Sequence, residues 1–308
     1  MKKKILGVLL TVMYVLAVSG CANGGRNVEE NTSITEEDSA PASEQGNTEE
    51  NGMDPDGSRP SGTESKDTVT GGTEEYRGFT LDNILHSESE GDIHYNLYVP
   101  DSYDGSEPYA LFFTLPGYEG LYFQGVGENL YSEDFGFEAQ KYIEDMIIVA
   151  PQLSDWGETS ADQTIALVEY FLANYNIDES RVFGEGYSGG GETMSQVLGK
   201  RPDLFTAYLQ CSSQWDGEYG PVVENRTPVY FVIGESDEYY GSGPSREAYE
   251  TLREMYRDEG LSEEEIDGIL VLDIKDADHF ESRGVTVQHG GGNLFAADDE
   301  IMGWLFGR

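Results

Sequence analysis

Arg181-Val-Phe-Gly-Glu-Gly-Tyr-Ser-Gly-Gly-Gly-Glu-Thr-Met-Ser195 admits two readings that lead to different chemistry. Gly184, Gly186 and Gly189 keep the G-x-G-x-x-G spacing of a dinucleotide-binding turn. Gly186, Ser188 and Gly190 keep the G-x-S-x-G spacing of a nucleophile elbow. A dinucleotide turn normally opens its domain, with an acidic residue about 20 positions later to hold a ribose. Here at least three strand-like segments precede the glycines. Acidic residues are so frequent that Asp203 or Asp216 falling nearby carries no weight. The elbow reading asks for more: a strand before the serine, a helix after it, then an acid and a histidine, each behind a later strand.

The flanking sequence supplies that context. Ile93–Val99 alternates apolar and polar residues, the period of a half-buried strand. Tyr109–Leu115 and Met146–Ala150 are short continuous apolar runs bounded by prolines, as expected of strands buried on both faces. Phe135–Asp145 has helical character. Ser160-Ala-Asp-Gln163 has capping-box spacing ahead of an apolar stripe at Ile165, Val168 and Leu172. Arg181–Gly184 reads as a brief strand and Glu192–Gly199 as a helix. Beyond them come strands at 207–211, 228–233 and 269–274, a helix over 245–256 and a terminal helix over 299–306. Buried strands alternating with amphipathic helices predict an α/β fold with a mostly parallel central sheet flanked by helices.

Within that fold the chemistry narrows to few residues. A serine hydroxyl is a poor nucleophile until a base takes its proton, and that base must be oriented by a carboxylate. Ser188 is the candidate nucleophile. Asp237, in Gly234-Glu-Ser-Asp237, falls just past the strand at 228–233 and is the candidate acid, with Glu235 as its alternative. The chain has four histidines. His86 and His94 precede the serine and fail the order, whereas His279 and His289 both follow the last strand.

In these ordered motifs the chain resembles the α/β-hydrolases, specifically secreted esterases of the feruloyl-esterase, acetyl-esterase and polyhydroxyalkanoate-depolymerase type. "YNLYVPDSYD" is similar to their opening strand, "ALFFTLPGYEG" to the strand carrying their oxyanion loop, "RVFGEGYSGGG" to their elbow, "VIGESDE" to their acid turn and "DDEIMGWLF" to their closing helix. The resemblance spans about Phe79 to Arg308. It implies His289 as the base in preference to His279, because relatives place the base one such loop ahead of the closing Trp-Leu helix. It also implies an oxyanion hole made by the backbone N–H groups of Gly189 and Tyr118. Pro116 stands where relatives often carry histidine, a departure that leaves the donors open. Few residues separate Cys211 from Pro228, so no large lid is expected. Trp215 and Tyr219 in that connection are either pocket-lining residues or loop anchors.

The ends and the composition bound the rest. Lys2-Lys-Lys4, an apolar run from Ile5 to Val18 and Val18-Ser-Gly-Cys21 form a secretory signal ending in a lipobox-like cysteine, expected over residues 1–21. About fourteen apolar residues fall short of the roughly 20 that a membrane-spanning helix needs. Residues 22–75 are Asn, Thr, Ser, Glu, Asp, Gly and Pro, too polar to offset the entropy of ordering, and are expected to form a disordered acidic tether. Residues 76–308 are then the catalytic domain. Of two cysteines, lipidated Cys21 leaves Cys211 as one free thiol in an apolar stretch. A net charge of −41, with 18 Lys and Arg against 59 Asp and Glu, excludes a nucleic-acid partner and adsorption to anionic lipid. The expected protein is a monomeric, extracytoplasmic, lipid-anchored serine esterase. Its expected partner is a small-molecule or polysaccharide-linked ester, and no His or Cys cluster with ligand spacing calls for a metal or other cofactor. The alternatives are a prolyl-oligopeptidase-like peptidase and a catalytically silent hydrolase fold that binds partners at the cell surface.

Overall fold

A computed structural model describes residues 66–308. Among them, ten strands form one sheet: β1 (Thr68–Thr70), β2 (Glu74–Tyr76), β3 (Phe79–Ser87), β4 (Gly91–Tyr98), β5 (Tyr109–Leu115), β6 (Met146–Pro151), β7 (Ile177–Tyr187), β8 (Ala207–Cys211), β9 (Val229–Gly234) and β10 (Leu270–Lys275). The spatial order is β1-β3-β4-β6-β5-β7-β8-β9-β10, with β2 also beside β3. From β6 through β10 every pairing is parallel; β1 to β4 pair antiparallel, and β4 joins the parallel part antiparallel to β6.

The central strands are apolar along their whole length because helices cover both faces. In β5 and β6 every residue is buried. Successive side chains point to opposite sides of a strand. Leu111, Phe113, Ile147 and Val149 therefore enter one core, and Ala110, Phe112, Met146 and Ile148 the other. The first core is closed by the helices Glu158–Asn174, Gly189–Lys200, Tyr219–Asn225 and Gly243–Asp258. The second is closed by Glu128–Ser132, Phe135–Ala139, Gly292–Ala296 and the terminal helix Asp299–Phe306, which Asp298 caps by accepting the Glu300 N–H at 2.9 Å.

Three expectations need correction. The tether does not run to residue 75: β1 and β2 lie inside that stretch and pair with β3, the backbone supplying the ladder that polar side chains gave no sign of. Residues 1–65, which include the expected signal, Cys21 and most of the tether, lie outside the described residues. The helix expected over 135–145 stops at Ala139, because the chain turns there and stacks Tyr142 on Phe306 of the terminal helix. The capping box at Ser160 does not form: Gly157 is the N-cap, and the Ser160 hydroxyl, already inside the helix, donates back to the Asp155 carbonyl and carboxylate at 2.9 and 2.6 Å.

Candidate active site

The turn from β7 into the helix Gly189–Lys200 puts Ser188 at φ 53° and ψ −124°, a left-handed conformation that L-residues rarely adopt. Strain of this kind survives only where the surroundings enforce it, and here glycines allow the enforcement. A Cβ on Gly186 would stand 2.6 Å from the Gly190 carbonyl oxygen, and one on Gly190 only 2.1 Å from the Leu115 oxygen. The chain therefore crosses itself, and the end of β5, at van der Waals distance. The elbow is further pinned by the Ser188 N–H on the Cys211 carbonyl at 3.0 Å and by the Ser213 hydroxyl on the Ser188 carbonyl at 2.6 Å. The dinucleotide reading is set aside, since these glycines serve to present a side chain.

Opposite Ser188 stands His289, on a short 3₁₀ turn (His289–Gly291). Its Nε2 lies 3.1 Å from Ser188 Oγ, and its Nδ1 lies 2.9 Å from Asp237 Oδ2. Asp237 follows β9, and its side chain is wholly buried. Its other oxygen accepts the backbone N–H groups of Tyr239 and Tyr240 at 3.0 and 2.9 Å, which fixes the carboxylate plane. The imidazole lies near-parallel to the rings of Tyr187 and Tyr239, with centroids 5.7 and 5.3 Å away. Its backbone is held as well: the N–H donates to Glu238, and the carbonyl accepts the Tyr187 hydroxyl. The glycines behind it are needed for this packing, because a Cβ at Gly291 or Gly292 would run into Phe280 or Tyr187.

The loop after β5 reaches the same point. Gly117 packs so closely on the elbow that a Cβ there would sit 3.2 Å from Ser188 Cβ. Tyr118 opens a 3₁₀ turn (Tyr118–Gly120) and Gly189 opens its helix, so both N–H groups occupy first-turn positions that lack a partner within the turn. Trp156 roofs this side, its ring atoms 2.9 to 3.2 Å from where a Gly189 Cβ would be. The Tyr118 ring lies 5.9 Å from Trp156 and 5.5 Å from exposed Phe123. On the other side Tyr240 donates to Glu192 at 2.7 Å, with its hydroxyl beside Ser188. Burial lifts the Glu192 carboxyl above the usual range, and burial with the Glu192 hydrogen bond does the same to the Tyr240 phenol.

Other sequence candidates fall elsewhere. His279 sits in the helix Ala277–Glu281 against Phe280 and Phe295, its Nε2 buried without a hydrogen bond and its pKa lowered chiefly by burial. Glu235 is exposed and continues the β9–β10 ladder through its N–H. His94 bonds Asp82 at 2.7 Å and stacks on Tyr122, and His86 bonds Thr70 and Asp92. Trp215 is an anchor: it is buried between Tyr219 and Phe231, with its indole N–H on the Gly217 carbonyl. Cys211 is buried. Among the described residues no group of three or more His, Cys, Asp or Glu is placed to hold a metal ion.

Sequence reasoning passed over several residues that shape the site. Gln288 wedges against Gly234 and accepts the Ser236 N–H at 2.8 Å, tying the His289 loop to the turn after β9. Trp156, Tyr187, Tyr240 and Glu133, which accepts the Gly117 N–H, were equally unmarked. Their only sequence signal was an apolar or acidic residue in a chain full of both.

The prolyl oligopeptidase family model matches residues 153–254, about a third of the chain, from the loop after β6 through the elbow and Asp237. Feruloyl esterase B of Thermothelomyces thermophilus is 28% identical over 127 residues, covering 36% of this chain and 40% of that enzyme. Among solved structures, a thermostable esterase superposes with a TM-score of 0.60 at 21% identity, over 75% of this chain and 63% of its own. The S-formylglutathione hydrolase of Staphylococcus aureus superposes with a TM-score of 0.51 at 12% identity, over 74% of this chain and 99% of its own. The chain thus spans less than two thirds of the length of the feruloyl esterase and the thermostable esterase. Likenesses at these identities speak for the fold, and they agree with a mostly parallel sheet whose elbow follows β7. The described residues thus have the α/β-hydrolase fold.

Proposed function

We propose that the chain is a serine esterase acting on carboxylic esters, with Ser188 as nucleophile, His289 as base and Asp237 as the group that orients it. The observation that carries this reading is the relay Ser188–His289–Asp237, with links of 3.1 and 2.9 Å, in which Ser188 and Asp237 follow β7 and β9 and His289 comes from the loop beyond β10. Ser188 Oγ adds to the ester carbonyl while its proton passes to His289 Nε2. The resulting oxyanion is held by the N–H groups of Gly189 and Tyr118, and collapse expels the alcohol, which takes the proton from His289. Water, deprotonated by His289, then attacks the acyl-enzyme. The second tetrahedral adduct collapses to release the carboxylic acid and return the proton to Ser188.

The connection from β8 to β9 carries only the short helix Tyr219–Asn225, so bulky or polysaccharide-linked esters have access. The likeness to a feruloyl esterase supports ester over amide bonds. The prolyl oligopeptidase match keeps a peptidase as the second reading. Turnover of an aryl acetate and of peptidyl anilides separates the two. The esterase reading expects acetate hydrolysis that Ser188→Ala abolishes, and a preference for the anilide would overturn it. The sequence at residues 1–21 further supports export and lipidation at Cys21. Cys21→Ser should then release an active protein from the membrane fraction, and a variant that stays membrane-bound refutes the anchor.

A further inference from the structure

We propose that Glu133 is the positioning residue of the oxyanion loop, a buried carboxyl that accepts the Gly117 N–H and so aims the Tyr118 N–H at the substrate carbonyl. The proposal rests on the esterase reading and deepens it.

The geometry is specific to this loop. Bonds from the Gly120 N–H to the Gly117 carbonyl and from the Leu121 N–H to the Tyr118 carbonyl close the turn on itself, at 3.1 and 3.3 Å. They fix its shape, and the Tyr122 N–H on the Leu153 carbonyl at 2.8 Å anchors its far end. The near end is held by Glu133, which ends the helix Glu128–Ser132, is buried, and receives the Gly117 N–H on Oε1 at 2.8 Å. Gly117 is also pressed on Ser188 Cβ and the Tyr187 ring, so moving it by a fraction of an ångström moves the next amide relative to the nucleophile. Misplacement on that scale is enough to lose much of an oxyanion donor's contribution.

The surroundings of Glu133 also settle which form performs the task. Glu119 from the loop, Glu185 and Tyr187 from β7 and Cys211 from β8 face it, and each is acidic. Burial, opposed by the Gly117 N–H and aided by Glu119, pushes the Glu133 carboxyl up to about 8. At neutral pH it is therefore a neutral acceptor. Ionised, it would set a negative charge one residue from the amide meant to meet a developing oxyanion, and like charges in a poorly solvated site repel strongly. Turnover should accordingly fall as pH rises through about 8.

Kinetics of Glu133→Ala and Glu133→Gln on an aryl acetate, at neutral and alkaline pH, test the proposal. Loss of one oxyanion donor costs about 10²–10³ in rate, so Glu133→Ala should lose roughly tenfold or more in kcat with KM near wild type. Glu133→Gln keeps a neutral acceptor and should keep kcat at neutral pH while lacking the alkaline fall near pH 8. A folded Glu133→Ala with wild-type kcat overturns the proposal, as does a Glu133→Gln that retains the wild-type alkaline fall. The second criterion decides the matter if the alanine variant does not fold. A wild-type protein that hydrolyses no ester would instead fail the esterase reading itself, so the two failures are distinguishable.

Discussion

Two stretches of backbone meet at Ser188 and are held there by different means. The elbow, from Gly186 to Gly190, is set largely by contacts between main-chain atoms: the α-carbons of Gly186 and Gly190 lie where a Cβ would strike a carbonyl oxygen at 2.6 and 2.1 Å. In the loop after β5, Gly117 approaches with more slack, 3.2 Å from a notional Gly117 Cβ to Ser188 Cβ, and its N–H is held by Glu133 at the end of the helix Glu128–Ser132. The elbow therefore resists any added atom. At Gly117 an added atom asks its neighbours to give by only a few tenths of an ångström, and the loop is sensitive to its bond to Glu133. Both arrangements suit a site in which the attacking atom must be fixed and donors must stand ready for charge that appears only during reaction.

The largest expected effect concerns the base, which a loop like the elbow presents, packed on glycines. His289→Ala should lose at least about 10²–10⁴ in turnover of an aryl acetate, while His279→Ala keeps most of it. Circular dichroism on both variants guards against unfolding as the cause. The reversed outcome would move the base to His279 and break the parallel between elbow and base loop.

A pair of alanine substitutions sharpens the contrast directly. Gly190→Ala must displace the Leu115 and Pro116 carbonyls. Overpacking costs about 1–3 kcal/mol and more when backbone must move, so Tm should fall by roughly 6 °C or more for a domain of this size. Gly117→Ala meets the Ser188 Cβ and the Tyr187 ring at 3.2 Å, so a shift of the loop by a few tenths of an ångström relieves it, and it should stay folded and lose kcat instead. Equal thermal losses in the two variants would show that the regions do not differ as described.

The smallest effect tests the acidic floor beneath both regions. Glu185 accepts the Thr114 hydroxyl at 2.8 Å, and burial with the nearby Glu133 holds its carboxyl well above the usual range. A carboxyl whose folded pKa is raised contributes stability that is complete below its unfolded pKa and is lost as pH rises above it. Glu185→Gln keeps an acceptor for Thr114 and removes that loss. It should raise Tm at alkaline pH by at least roughly 2–4 °C, the shift that 1 kcal/mol makes, with little change in acid. A variant destabilised equally at all pH values would contradict this account.

What the sequence disclosed follows the same division. The limits of β5 and the terminal helix were readable because prolines bound the one and a capping aspartate and a glycine bound the other. Ser188 and Asp237 could be nominated from their order along the chain, which left His279 and His289 both open, and the resemblance to esterases favoured His289. β1 and β2 were hidden because an edge ladder needs only backbone groups, which every residue carries. Glu133 and Gln288 were hidden for a related reason. Their importance lies in a single long-range hydrogen bond each, to Gly117 and Ser236, and no periodicity or spacing records such a bond. Trp215 invited a pocket role, and only packing against Tyr219 and Phe231 assigned it to the core.

The central claim is that Ser188 is an activated nucleophile, and a fluorophosphonate reports this without any guess about substrate. The probe should label the purified protein on Ser188, label Ser188→Ala not at all, and label His289→Ala far more slowly. Absence of labelling in the wild type would mean that a hydrogen-bonded Ser188–His289–Asp237 arrangement sits on a silent hydrolase fold. Labelling that persists in Ser188→Ala would place the nucleophile elsewhere.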